Sequence, residues 1–161
     1  MKSAYKKIRE PHPEEEENMF TELWNIKALP TVVHFAWKML LNKVSTRDNL
    51  VKRGVNVLSS QCIMCGNGEE SVQYLFYECN FTWTVWKICD KWVDLVSVSQ
   101  NTPKEHFQQF RLPRSSTKGK EWWRCMWIAI VWTILTHKND IIFKNKVKDP
   151  EEIFNLAQVK T

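Results

Sequence analysis

Apolar residues recur at three- and four-residue steps along most of this chain, which is the spacing of an amphipathic helix. The pattern predicts helices over residues 19–28, 31–40, 47–54, 69–79, 81–96 and 121–144, with a last helix starting at Asp149. We therefore expect an all-α fold. It should be an irregular bundle of short helices around a turn, followed by a long tryptophan-rich helix and a C-terminal helix.

Short local signals mark the helix ends. Pro30 is expected to end the first helix and Thr31 to cap the second. Gly54 suits the C-terminus of the third helix, because glycine accepts the left-handed backbone found there. Asp149, Pro150 and the two glutamates that follow are typical of a helix start.

The same periodicity assigns buried faces. Residues expected to face inward in the first and third helices are Phe20, Leu23, Trp24, Ile26, Leu50 and Val51. His34 lies beside the apolar face of the second helix, where we expect it to be partly buried. Cys89 shares helical spacing with an apolar stripe, which favours a small core residue.

Polar stretches suggest how the chain is divided. Residues 1–18 form a basic and then acidic segment, in which Glu14–Glu17 is expected to be a solvated break. Residues 19–96 form the helical domain, 97–120 a polar linker, and 121–161 a tryptophan-rich segment that packs on the domain.

Composition restricts the setting. The chain has 161 residues, nine tryptophans and a net charge of +5, which suits one folded domain. Five cysteines, an odd number, favour a reducing compartment, so we expect nucleus or cytoplasm. The N-terminus lacks the apolar core of a signal peptide, and the longest apolar run is too short to cross a membrane.

A cysteine motif supplies the candidate chemistry. Cys62 and Cys65 are separated by two residues and followed by Gly66, so a tight turn can point both thiolates at one ion. Cys79 provides a third sulfur. Structural zinc sites have four ligands in tetrahedral geometry, so a fourth remains to be found.

The cysteines belong to a longer pattern. Residues 1–8 read MKSAYKKI, residues 23–57 begin LWNIKALPTVVHF, the motif runs to Trp86, and residues 137–143 read HKNDIIF. In order and spacing these blocks resemble the zinc-binding domain of plant non-LTR (LINE-type) retrotransposon reverse transcriptases. The resemblance implies zinc ligands at Cys62, Cys65 and Cys79. It also implies a histidine at the position where this chain has Tyr74.

Tyrosine is a poor zinc ligand because its phenol has an ordinary pKa near 10. Three alternatives follow. Zinc is held by three thiolates with water or a neighbouring side chain; the metal has been lost and the turn survives by packing; or Cys89, His34 or His106 replaces the histidine.

The resemblance implies that the ancestral domain bound template RNA or target DNA. Residues 61–100 carry two basic and five acidic residues, so any phosphate contacts should lie outside them. The candidate nucleic-acid-binding cations are Lys38, Lys43, Arg47, Lys52 and Arg53, with Arg124, Lys144 and Lys146 as a second set. Trp37 lies near the first set, where it can stack on a base.

No phosphate loop, nucleophile set or paired metal-binding aspartates are found, so we expect no enzyme activity, no small-molecule substrate and no membrane partner. The alternative to nucleic-acid binding is a metal-free protein-interaction module domesticated from a retroelement, with an exposed tryptophan-rich surface for a protein partner. A third alternative is a transposon remnant without a selected function.

Overall fold

Helices make up the fold, as the periodicity predicts. The computed structural model describes residues 13–96, 102–110 and 116–161. These ranges contain α1 (Pro13–Trp24), α2 (Pro30–Leu40), α3 (Arg47–Lys52), a π-helical turn (Tyr74–Glu78), α4 (Asn80–Trp92), α5 (Pro103–Gln109), α6 (Thr117–Lys144) and α7 (Pro150–Lys160). The described residues form no strand, and one isolated bridge joins Gln61 to Glu69. The all-α prediction is confirmed, including the long helix and the C-terminal helix.

The long helix α6 lies at the centre of the core. Its residues Trp127, Ile130 and Ile134 are fully buried. It packs against α2 and α7, and α7 also contacts α4. Trp132 of α6 meets Phe35 of α2 edge to face, with ring centroids 5.4 Å apart. A helix that is apolar on most of its circumference needs neighbours on several sides, and α6 has them. None of the helices in the described ranges has the length and apolarity needed to span a bilayer.

The N-terminal helix begins earlier than predicted. Pro13 opens α1, and glutamates follow in its first turn, where the helix dipole favours negative charge. Glu14–Glu17 is largely solvated as predicted, but it belongs to a helix, so its prediction as a break was wrong. The inward positions Leu23 and Ile26 are buried as predicted, whereas Trp24 is 51% exposed.

Three further local predictions were wrong. Leu29 occupies the N-cap of α2 and Pro30 is its first residue, so Thr31 does not cap it. His34 is exposed rather than partly buried. Val51 is exposed, and the buried residue of α3 is Asn49, whose amide donates to the carbonyl oxygen of Val44 at 2.9 Å.

Other boundary predictions are confirmed. Gly54 has a φ of +80° just beyond α3, as expected of a C-terminal glycine. Asp149 caps α7 by accepting the backbone N–H of Glu151 at 2.9 Å. Cys89 is fully buried in the core.

The polar stretch predicted as a linker contains a helix. Within residues 97–120, α5 and Phe110 pack against α6. The Phe110 ring stacks on Trp123 with centroids 4.4 Å apart, and the Phe107 ring meets Trp127 edge to face at 4.7 Å. These contacts cover the first half of α6. Residues 97–101 and 111–115 of this stretch lie outside the described residues.

Candidate metal centre

A glycine-containing turn positions the first two cysteines. The turn is closed by the Gln61–Glu69 bridge and by a hydrogen bond from the Cys62 amide to the Gly68 carbonyl at 3.0 Å. Gly66 has a φ of +72°, a conformation in which residues with a Cβ are disfavoured. Its amide donates to the carbonyl of Cys62 at 2.8 Å, and this hydrogen bond closes a tight turn around the two residues between the cysteines.

The third cysteine is delivered by a π-helical turn. Cys79 follows Glu78 directly and serves as the N-cap residue of α4. Its amide donates to the carbonyl of Tyr74 at 2.7 Å, five residues earlier. A π-helical turn contains one residue more than an α-helical turn. The extra residue sets the position at which Cys79 approaches Cys62 and Cys65. The Cys79 side chain is fully buried.

The three sulfurs are close enough to share one ion. The sulfur atoms of Cys62, Cys65 and Cys79 all lie within 4.8 Å of one another, and Cys62 Sγ is 3.9 Å from Cys79 Sγ. With zinc–sulfur bonds of about 2.3 Å, ligands at tetrahedral angles stand about 3.8 Å apart. The sulfurs implied by the sequence resemblance thus fit three ligands of a metal site.

Tyr74 lies at the edge of this cluster. Its hydroxyl oxygen is 3.2 Å from Cys65 Sγ. The ring occupies the space above Gly68, where an added Cβ would stand only 2.4 Å from two ring carbons. Gly68, with a φ of +41°, is thus the residue that gives the ring room. The three sulfurs fit zinc, but the fourth ligand that zinc requires is not matched, because the side chain beside the cluster is a phenol, which is a poor zinc ligand.

Hydrogen bonding and burial set the protonation of the cluster. The Cys62 thiol donates to Cys79, and this bond, with burial, raises the pKa of Cys62 well above its usual range. The same bond lowers the pKa of Cys79. The bond to Cys65 raises the pKa of Tyr74, so the phenol keeps its proton. A metal that binds both sulfurs must therefore displace the proton of the Cys62 thiol.

The substitute ligands considered from sequence lie elsewhere. Cys62, Cys65 and Cys79 form the one group of three or more metal-ligating side chains within the described residues, and neither Cys89 nor a histidine belongs to it. His106 instead accepts a hydrogen bond from the Trp127 indole at 2.9 Å. His34 is exposed and its ring contacts that of Trp37 at a tilt, with centroids 5.4 Å apart.

The first set of predicted cations divides into two groups. Lys38 and Lys43 are exposed and form no ion pair within the described ranges, and Lys52 is exposed but 3.5 Å from Asp48. Two arginines support the backbone. Arg47 donates to the Ser59 carbonyl at 2.7 Å, and Arg53 to the Lys43 carbonyl at 2.6 Å.

The second set is less available. Arg124 is buried, forms an ion pair with Glu22 at 3.0 Å and donates to the carbonyl of Phe107. This placement argues against a contact with phosphate. Lys144 and Lys146 lie near the surface, each 2.8 Å from a carboxylate, of Asp140 and Glu152 respectively.

Sequence reasoning missed an aromatic cluster on the surface. Trp24 of α1 meets Trp37 of α2 with centroids 6.0 Å apart, and His34 extends the contact. Trp37 and Lys38 follow His34 on α2 by three and four residues, so both lie next to it on one face. We call Trp24, His34, Trp37, Lys38 and Lys43 the aromatic–basic surface. The α2 spacing was a usable signal, but the contribution of α1 was missed because Trp24 was predicted to face inward.

Comparison with known proteins adds one finding. A family model described as zinc-binding in reverse transcriptase matches residues 1–86, which include all three cysteines. No curated protein and no solved structure matches the chain.

Proposed function

The chain belongs to the family of zinc-binding domains in reverse transcriptase, and from this membership we propose that it is a non-catalytic, retrotransposon-derived module that binds single-stranded nucleic acid. The module would have served reverse transcription as an accessory. The thiolate turn has a structural role, and the aromatic–basic surface makes the contact with nucleic acid.

The observation that carries this proposal is the pair of touching tryptophans beside unpaired lysines. Trp24 is 51% exposed, although its indole would be expected in a core. Unstacked bases stack on such rings, and each stacked base contributes about 1–3 kcal/mol. Lys38 and Lys43 are free to neutralise phosphates on either side of a stacked base.

The metal turn connects to this surface through the core. Phe76 in the π-helical turn contacts Phe35 of α2, with centroids 6.3 Å apart. Phe35 lies on the inner side of α2, and Trp37 and Lys38 lie further round the same helix. Ordering the thiolate turn therefore stabilises the helix that presents the aromatic–basic surface.

We expect Trp24→Ala to weaken binding of a single-stranded oligonucleotide by roughly tenfold, because a stacking ring is lost. Fluorescence anisotropy with labelled RNA and DNA of about 12 nucleotides measures this. Trp92→Ala is the matched control, because Trp92 is 50% exposed on α4. Lys38→Gln should reduce the dependence of log affinity on log salt by about 0.7, the value for one single-strand phosphate contact, and Lys91→Gln should leave it unchanged.

Equal loss of affinity in Trp24→Ala and Trp92→Ala would contradict this assignment. A duplex bound as tightly as the single strand would do the same, because paired bases cannot stack on the rings. An affinity that does not depend on salt concentration would show that Lys38 and Lys43 make no contact with phosphates.

One observation favours the protein-interaction alternative. A groove between α4 and α7 is lined by three apolar residues, Ile88, Trp92 and Phe154, and by four polar ones, Lys91, Glu151, Asn155 and Gln158. A half-exposed tryptophan among polar side chains is typical of a protein contact. A stable complex or self-association that Trp92→Ala abolishes, with no binding of oligonucleotides at low salt, would support this alternative.

A further inference from the structure

We propose that the thiolate cluster prefers monovalent copper to zinc, because it offers three sulfurs and replaces the fourth ligand with a neutral phenol. In this proposal Tyr74 donates a hydrogen bond to the Cys65 thiolate and does not bind the ion.

The donor set is the first support. Every metal-ligating atom of the cluster is a cysteine sulfur, and no histidine or carboxylate within the described residues joins it. Thiolates are soft ligands that select Cu(I) and zinc among the common metals. The two ions differ in what they need beyond three sulfurs. Cu(I) is satisfied by three thiolates, whereas structural zinc is almost always bound by four ligands.

The position of Tyr74 is the second support. Its oxygen already lies 3.2 Å from Cys65 Sγ, a hydrogen-bond distance for sulfur. Cysteines bind metals as thiolates, so once Cys65 is a ligand its sulfur carries no proton and the phenol must be the donor. Hydrogen bonds of this kind to ligand atoms orient them and tune the ion.

The packing of the ring keeps this arrangement in place. The ring lies against Gly68, and the absence of a Cβ there lets it approach the backbone closely. The ring is half-buried, and its hydroxyl lies beside Cys65 at the edge of the cluster. Zinc still needs a fourth donor beyond the three sulfurs, and the side chain that lies beside them is a phenol rather than an imidazole or a thiolate. Three-coordinate Cu(I) needs no fourth donor.

Competition titrations on the full chain test the proposal, under anaerobic, reducing conditions and without nucleic acid. A chromophoric chelator for each ion reports the dissociation constant in the wild type, in Tyr74→His and in Tyr74→Phe. We expect Tyr74→His to raise zinc affinity by at least about tenfold and to change Cu(I) affinity by less than about threefold. Tyr74→Phe, which loses the donated bond, should weaken both ions to a similar extent.

Cobalt(II) substitution of the wild type gives a readout that needs no variant. Cobalt absorbs intensely in the visible region when it is tetrahedral, so we expect an intense band in Tyr74→His and a weak one in the wild type. A tetrahedral cobalt band in the wild type would overturn the proposal. So would wild-type zinc affinity equal to that of Tyr74→His, or a loss of affinity in Tyr74→Phe confined to zinc.

Because these titrations contain no nucleic acid, their failure leaves the proposed function intact. Conversely, a protein that binds no oligonucleotide can still show the expected metal preference. Circular dichroism of each variant establishes that it is folded before its affinity is compared.

Discussion

Replacing Lys138 with methionine is expected to lower the free energy of unfolding by about 3–5 kcal/mol, the cost of leaving a buried charge without its partner. Lys138 of α6 forms an ion pair with Glu70, and their side chains are 4% and 0% exposed. Methionine keeps the length of the side chain but removes the ammonium. The Glu70 carboxylate then loses its closest cation.

The effect is large because Glu70 joins three parts of the fold. One carboxylate oxygen accepts the backbone N–H of Arg47 at 3.2 Å, at the start of α3. The Glu70 carbonyl accepts the N–H of Asp48, also at 3.2 Å. The other carboxylate oxygen has no hydrogen-bond partner among the residues that the structure describes and lies 4.0 Å from Arg47 Nε. Glu70 itself comes directly after the thiolate turn, so the pair ties that turn and α3 to the central helix.

Urea unfolding followed by tryptophan fluorescence measures the loss. Lys144→Met, at a 72% exposed side chain on the same helix, is the control and should change stability by less than about 0.5 kcal/mol. In the double variant Glu70→Gln with Lys138→Met, most of the lost stability should return, because no uncompensated charge remains. A double variant no more stable than Lys138→Met would show that the charge is not the cause.

Sequence alone predicts the features of this fold that depend on local spacing. The apolar period of α6, the Asp149–Pro150 start of α7 and the cysteine trio are each visible within a few neighbouring residues, and the structure bears them out. The resemblance to reverse transcriptase zinc-binding domains was equally readable, because the order of its blocks is preserved.

Features that depend on contacts distant in sequence could not be read in this way. Glu70 and Lys138 are 68 residues apart, and each looks like an ordinary surface charge in its own segment. Arg124 was predicted as a nucleic-acid-binding cation for the same reason. Its place is determined by Glu22, 102 residues away, and by α5, which the polar composition of its surroundings concealed.

The helix α5 had a local signal in the sequence, but the polar residues around it pointed the other way. His106, Phe107 and Phe110 have the spacing of a short buried helical face, and they pack on α6. The surrounding prolines and polar residues favoured a linker instead. At Tyr74 the sequence showed that a histidine was missing, but only the structure shows that the phenol still contacts Cys65.

Acidification from pH 7 to pH 5 is expected to lower the free energy of unfolding by about 2 kcal/mol through His106 alone. Burial lowers the pKa of His106 to about 3. In the unfolded chain its pKa is about 6.5, so between these values the unfolded state binds one proton more than the folded state. The contribution of His106 to the free energy of unfolding is therefore fully present above about pH 6.5 and declines as the pH falls toward 3.

The surroundings of His106 explain why it stays neutral. Its ring lies 4.5 Å from that of Trp86 and 4.7 Å from that of Tyr77, and its Nδ1 accepts the indole N–H of Trp127. Protonating Nδ1 would remove that bond and place a charge among aromatic rings. His137, whose pKa is also lowered mainly by burial, adds to the loss in the same direction.

His106→Gln separates this group from the carboxylates that also titrate in acid. Glutamine can accept the Trp127 indole but does not titrate, so the variant should be less stable at pH 7 yet lose about 2 kcal/mol less than the wild type between pH 7 and 5. Urea midpoints at both pH values measure the difference. Parallel pH profiles in the two proteins would mean that His106 binds protons equally in the folded and the unfolded chain, which is incompatible with the burial and the Trp127 hydrogen bond described above.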